Sequence, residues 1–529
     1  MNRRSFLALV ALVGCWKPQP GPIPVEVAAA PVRLVAQTSA GPVTYVEVAV
    51  RAGSAHDPVG KEGLAALTAE MLREGGAADR TPEAVDKLLY RLGTDIEVVV
   101  GKELVTFRTR ALNEDVAVLG SLVADMFRAP ALDAVTFARL KDEAKNELEK
   151  GLLQNDEATG LEVLDNLLYA GHPYGHPVAG RAGVIDTITL DDVRSFMSSQ
   201  YTRSTVTVGI VSKAVAPSET AWRVVRGGDF EGLFSADEVA AADLATMVGA
   251  LSGLPVGIYD PPTPKRVPAV DGRRLLIVEK STDSTGVHFG HPTELHRGHP
   301  DWPAMLLAFT ALGEHRQGHG RLYQRLRGER GLNYGDYAYI ERYQQAGWSS
   351  RQETGTGRVQ NPFYVWLRPV AADDGPFAIR AATAIIEDFV ENGLTEDEFA
   401  RIQTYLSGRI ALWGEDPGRR LGWSVEAVAM DWPEPLTTLP EKVDALDLAS
   451  VNAAIRTHIH PENMRYVVVT KDAASLQASL ADGVATPMAY SGSTPPAPGT
   501  PAAEQDQVWG ALPLGITETT IVPALGIFR

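Results

Sequence analysis

Between Arg321 and Tyr334 the chain reads Arg-Leu-Tyr-Gln-Arg-Leu-Arg-Gly-Glu-Arg-Gly-Leu-Asn-Tyr, and two of these side chains, Arg327 and Tyr334, could act together on a ligand. A guanidinium is a rigid, permanently charged fork of N–H donors and a phenol adds an O–H, a set suited to binding and polarising a peptide carbonyl. Taken singly, each has a plainer reading: a solvated helix-face arginine and an aromatic filling strand packing. Leu322 and Leu326 lie four apart, Gly331 is placed to end a helix, and an extended run begins near Leu332. The spacing therefore predicts a helix handing over to a strand, with Arg327 at the helix end and Tyr334 at the strand start.

A chain of 529 residues, 45% hydrophobic and 22% charged, suits two to four soluble domains. Its net charge of −17 argues against a nucleic-acid partner, since nothing offsets phosphate repulsion. Residues 1–15 read as a lipoprotein-type signal peptide. Asn2-Arg3-Arg4 is positive, Phe6 to Gly14 is an apolar run too short to span a membrane, and Leu12-Val13-Gly14-Cys15 resembles a bacterial lipobox. Cys15, the only cysteine, is then the lipidation site, and acyl chains worth about 0.8 kcal/mol per buried CH₂ would tie the mature protein to a membrane. The expected place is the periplasmic side of the cell envelope, at the inner or outer membrane. Arg3-Arg4-Ser5-Phe6-Leu7 also looks like a twin-arginine export signal.

Residues 16–31 read as a Pro- and Ala-rich tether. Strands are expected at Val32–Val35 and Thr44–Arg51, a helix at Lys61–Glu74, another at Thr81–Leu92, two strands within Asp95–Arg110, and helices at Asn113–Phe127 and Leu132–Leu153. His172 to Gly180 reads as a loop. Thr189, with Asp192 three residues on, opens a helix that precedes a strand at Thr205–Val211. Asp186, Ile188, Leu190, Val193, Met197, Tyr201, Val206 and Ser212-Lys213 then recur 258 positions later as Asp444, Leu446, Leu448, Val451, Ile455, Ile459, Met464 and Thr470-Lys471. So long a period means two related domains rather than an array. The expected fold is α+β: tandem homologous domains at 32–215 and 271–480, each an antiparallel sheet with helices on one face. A linker is expected at 216–270, and a Pro-rich, flexible segment with a C-terminal strap at 481–529.

The Leu-Arg, Gly-Leu and Tyr of Leu326-Arg327, Gly331-Leu332 and Tyr334 resemble the second half of the M16 family of zinc peptidases (pitrilysin, insulin-degrading enzyme, mitochondrial processing peptidase). The resemblance implies a substrate-binding role for Arg327 and Tyr334 and a fold that forms half of a clamshell. First halves of that family commonly carry Gly-Leu-Ala-His-x-x-Glu-His, in which two histidines bind zinc and the glutamate is the general base. Here Gly53, Asp57-Pro58, Gly60 and Gly63-Leu64-Ala65 keep the frame, but Ala66 and Glu70 stand where the histidines belong and Ala69 where the base belongs. Glu147, 77 residues after Glu70, stands where the resemblance places the third metal ligand. A lone Glu147 cannot hold zinc, so these are degenerate zinc-motif positions. His291, Glu294, His296, His299, Glu314, His315 and His319 form the densest histidine region, but its spacing does not match the motif and Pro292 disfavours a helix; they read as surface histidines.

The resemblance thus implies a non-catalytic subunit of a heterodimeric metalloendopeptidase acting on peptides in the cell envelope. It holds no cofactor of its own, with zinc expected only in a zinc-bearing M16 partner subunit. Two other readings stay open: a peptide-binding or scaffold lipoprotein with no part in catalysis, and an active zinc peptidase.

Overall fold

The computed structural model describes residues 32–216, 223–226, 233–235, 238, 240–264, 266–343, 352–491 and 493–529. The expected signal peptide, Cys15 and the expected tether lie outside the described residues. Strands β1 (Arg33–Thr38), β2 (Val43–Val50), β3 (Glu97–Val100), β4 (Val105–Leu112), β5 (Val206–Ser212) and β6 (Arg223–Arg226) form one sheet in the order β3-β4-β2-β5-β1-β6. A second sheet contains β7 (Arg273–Glu279), β8 (Ser284–Thr293), β9 (Asp336–Tyr339), β10 (Asn361–Ala371), β11 (Arg465–Thr470) and β12 (Ile516–Pro523). Its order is β9-β10-β8-β11-β7-β12, which matches the first sheet over five strands; the edge strands differ, since β6 runs antiparallel to β1 and β12 parallel to β7.

The repeat is real in three dimensions. Val193 is buried in helix Leu190–Gln200 and Val451 in helix Leu448–His458, while Lys213 and Lys471 each follow directly on β5 and β11. Thr189 and Asp192 make the expected capping box, which satisfies two backbone donors at the helix start. One detail of the expectation changes: the sheets are mixed. β1 pairs with β5, and β7 with β11, in parallel, because a long helical excursion separates the partners and lets the chain re-enter in the same direction.

Helices do not cover one face alone. The second face of each sheet is covered by a helix from the other half. Helix Asp156–Leu168 packs on β8, β10 and β11, and helix Pro417–Met430 packs on β1, β2 and β5. The approach is close. A Cβ on Gly160 would sit 2.4 Å from His288 Nδ1, and one on Gly209 of β5 would sit 2.3 Å from a Val425 methyl, so only glycine fits at either place. Leu421, Val425, Val428, Ala429 and Met430 bury against Val35, Ala49, Leu104 and Val211 as a small core between the halves, beside a large core for each sheet.

Charge sews the other exchanged helix in place. Asp156 pairs with Lys280, Glu157 with Arg368 at 2.8 Å, Glu162 with Arg342 at 3.2 Å and Asp165 with Arg358 at 3.0 Å. The sequence analysis does not predict this helix between the helix ending at Leu153 and the His172 loop. The expected linker also holds a helix, Ala240–Leu251, whose Leu244, Met247, Val248 and Leu251 are buried and which packs on helix Val116–Arg128. The Pro-rich segment is anchored as well: Tyr490 Oη bonds Asp506 and helix Pro501–Gly510 buries Trp509. The strap is β12, a parallel edge strand on β7, after which Phe528 is buried and its carbonyl accepts from Ala182 N.

Candidate functional site

The stretch from Arg321 forms a helical turn that widens to π geometry over Tyr323–Gly328 and ends where Gly331 takes φ +64°. Leu322 and Leu326 are fully buried, which fixes the face on which Arg327 emerges. β9 begins at Asp336, four residues later than the extended run was expected. Across this turn Arg327 Nη1 donates to the Tyr334 carbonyl oxygen at 2.8 Å, and its guanidinium lies 5.0 Å from the Tyr323 ring and 5.5 Å from the Tyr334 ring. Tyr334 itself is 78% exposed.

The loop that carries the pair is braced from below. Asn333 donates to Asp336 Oδ1 at 2.8 Å and to the Arg368 carbonyl at 3.1 Å, and accepts from Gly335 N. Burial pushes the Asp336 carboxyl up to about 7, with Asn333 and Arg327 acting the other way. Arg330, wholly buried, bonds Asp506 at 2.7 Å and so ties the loop to the C-terminal helix.

Arg327 and Tyr334 line an open cleft of about 640 Å³ together with Arg316, Tyr323, Tyr337, Arg368 and Glu157. Glu157 comes from the exchanged helix, so both halves of the chain build the cleft. Three arginines against one glutamate leave it net positive, 3 − 1 = +2. Sequence reasoning missed Arg316, Tyr323, Tyr337, Arg368 and Glu157. Tyr323 alone had a legible signal, four residues before Arg327 on one helix face.

The degenerate zinc-motif positions lie on helix Leu64–Glu74 and beyond it. Ala69 is fully buried, Ala66 and Glu70 partly, and burial, with Glu74 close by, pushes the Glu70 carboxyl up to about 7. Glu147 is exposed at the start of a π turn, Glu147–Gly151, that continues helix Ala134–Asn146. Methyl groups offer no lone pairs, and among the described residues neither Glu70 nor Glu147 belongs to a convergent group of three or more metal-ligating side chains. A zinc ion does not fit there. The surviving frame has a structural use. Gly63, at φ +103°, cannot cap the helix with a side chain, and Asp57 accepts from Gly63 N and Ala65 N at 2.7 Å each in its stead.

The histidine region disperses. His291 and His315 are buried, contrary to the surface reading. His291 lies in β8, where its Nε2 accepts from His460 N, and His315 meets Tyr339 Oη at 2.6 Å. His296 stacks on Trp432, and His319 packs on Tyr405.

Two family descriptions match the chain: Insulinase (Peptidase family M16) over residues 33–181 and Peptidase M16 inactive domain over residues 187–406. An uncharacterised zinc protease of Streptomyces coelicolor is 24% identical over 348 residues, 65% of this chain and 66% of that protein, just under two thirds of its length. The Helicobacter pylori "Non-peptidase homolog YmxG" is 21% identical over 435 residues, 81% of this chain and 89% of that protein. A crystal structure of a peptidase M16 inactive domain from Pseudomonas fluorescens shares the fold, with a TM-score of 0.68 at 21% identity, covering 83% of this chain and 95% of that one.

Proposed function

Because the chain belongs to the M16 peptidase family, as a homologue of its inactive type, we propose that it is a subunit that has given up metal chemistry and kept peptide binding. It would pair with a zinc-bearing member of the family, present Arg327 and Tyr334 to the peptide carbonyl that the partner attacks, and have no peptidase activity by itself. The observation that carries this reading is the contrast between two sites in one chain. The motif positions hold Ala66, Ala69 and Glu70, while Arg327 and Tyr334 remain adjacent at the mouth of an open cleft. An exposed tyrosine and a guanidinium spread over two rings earn little from folding, so their joint presentation is better explained by a ligand. Lipidation at Cys15 and action on peptides on the periplasmic side of the envelope are part of the same proposal.

A second reading has an observation of its own. Arg327 already spends one N–H on the Tyr334 carbonyl, as in a cleft wall held ready for binding alone, and a peptide-binding scaffold would need no more. Mixing the purified chain with a zinc-bearing M16 protein from the same cell separates the two. The shared-site reading expects co-elution and cleavage of an unstructured peptide that needs both chains and stops with chelator. Cleavage by the partner at the same rate without this chain would leave only the scaffold.

A further inference from the structure

We propose that His299, Asp301 and His458 form a site for one divalent transition-metal ion of the zinc class, unrelated to the degenerate motif on helix Leu64–Glu74. Their ligand atoms all lie within 4.8 Å of one another, and among the described residues no other group of His, Cys, Asp and Glu converges in this way. Each residue is only half-buried, so an ion and a completing water can reach them. The proposal departs from the expectation that this chain holds no metal of its own.

The local structure aims the three side chains at one point. Asp301 stands at the N-cap of helix Trp302–Gly313, where an aspartate ordinarily accepts from the first turn. Here it makes no such bond, and its Oδ2 lies 2.7 Å from Nε2 of His458, the last residue of helix Leu448–His458. The His299 ring stands edge-on to His458 at 5.3 Å, and its Nδ1 accepts from Asp301 N at 3.0 Å. An ion would take a ring-nitrogen lone pair of His299 in place of this bond. The hydrogen bonds join the three residues only in pairs, Asp301 with His458 through its carboxylate and with His299 through its backbone N, whereas a metal would join all three side chains at one point.

The donor set selects the ion. Two imidazoles and one carboxylate suit zinc, cobalt or nickel, whereas calcium and magnesium take oxygen ligands in larger number. The site would also have a structural consequence. The loop holding His299 carries Arg297, which bonds Glu426 of helix Pro417–Met430 at 2.6 Å, and His296, which stacks on Trp432 just past that helix. An ion joining this loop to the end of helix Leu448–His458 would hold the seat of helix Pro417–Met430.

The test uses the full chain, stripped of metal and titrated with Zn²⁺ against a chromophoric chelator, and with Co²⁺ read by its visible absorption. One equivalent of Zn²⁺ bound at micromolar concentration or below, a Co²⁺ spectrum of low coordination number, and a rise in Tm with Zn²⁺ are expected. Affinity should fall at least about tenfold in His299→Ala and in His458→Ala, and stay unchanged in His319→Ala. His299→Ala also tells a metal site from the plain hydrogen bond, because it leaves Asp301 and His458 intact. Absence of stoichiometric binding at micromolar Zn²⁺, or affinity unchanged in folded His299→Ala, would overturn the proposal.

Discussion

The Arg358 guanidinium meets both carboxylate oxygens of Asp165 at 3.0 Å, with both side chains almost wholly out of water, and the two residues come from opposite halves of the chain. Burial alone would raise the Asp165 carboxyl, but Arg358, Arg342 and Lys102 hold it below its ordinary value. Helix Asp156–Leu168 is therefore seated on the other half by buried ion pairs as well as by apolar contact.

Removing Arg358 takes the bidentate partner from a buried carboxylate that Arg342 and Lys102 then compensate only in part, which costs up to about 3–5 kcal/mol, whereas replacing both partners with apolar groups of similar volume costs less. Arg358→Ala should thus lower stability to denaturant more than Asp165→Leu with Arg358→Met. A carboxylate held below its unfolded pKa stabilises the fold above that value, near ~3.9, and the benefit goes as pH falls through the folded value. The difference between wild type and Arg358→Ala should accordingly shrink in acid. A double variant as unstable as Arg358→Ala would show that the pair has no such role.

Asp336 gives the opposite sign. Its folded carboxyl titrates at about 7, far above the unfolded value, so the fold binds the extra proton, and stability present below ~4 is lost as pH rises through 7. Asp336→Asn keeps a carbonyl to accept from Asn333 and cannot ionise. It should be close to wild type at pH 4 and more stable at pH 8, by a few kcal/mol at about 1.4 kcal/mol per pKa step. Equal differences at both pH values in thermal unfolding would contradict this.

At the degenerate motif, Ala69 has no exposure at all. Ala69→Glu should destabilise the chain by about 1–3 kcal/mol through overpacking and buried charge, and Ala66→His with Ala69→Glu and Glu70→His should not produce chelator-sensitive peptidase activity in the isolated chain. Activity in that variant would mean that exposed Glu147 can still swing to complete a site.

What the sequence made legible follows from local physics. The Thr189–Asp192 capping box, the stop at Gly331, the Val193/Val451 repeat and the loss of ligands at Ala66 and Glu70 depend on residues within one element or on position alone. Helix Asp156–Leu168 had legible signals, the Asn155 cap and Leu161, Leu164 and Leu168 at helical spacing, but its Gly160, Glu162 and Asp165 make sense only beside His288, Arg342 and Arg358 of the other half. For the same reason Glu157 and Arg368 could not be joined to Arg327 and Tyr334 in advance. The Asp301–His458 contact spans 157 residues, beyond any motif.

The shared-site account rests most directly on turnover by a reconstituted pair of this chain and a zinc-bearing family member, measured with wild type, Arg327→Ala and Tyr334→Phe. Losing a charge-assisted contact to a developing oxyanion costs on the order of 3 kcal/mol, about 10²-fold in rate, while surface substitutions without such a role change stability by less than about 0.5 kcal/mol. The account predicts folded variants that still pair, with turnover depressed about 10²-fold by Arg327→Ala and measurably by Tyr334→Phe. Undiminished turnover in both variants, with pairing intact, would contradict it.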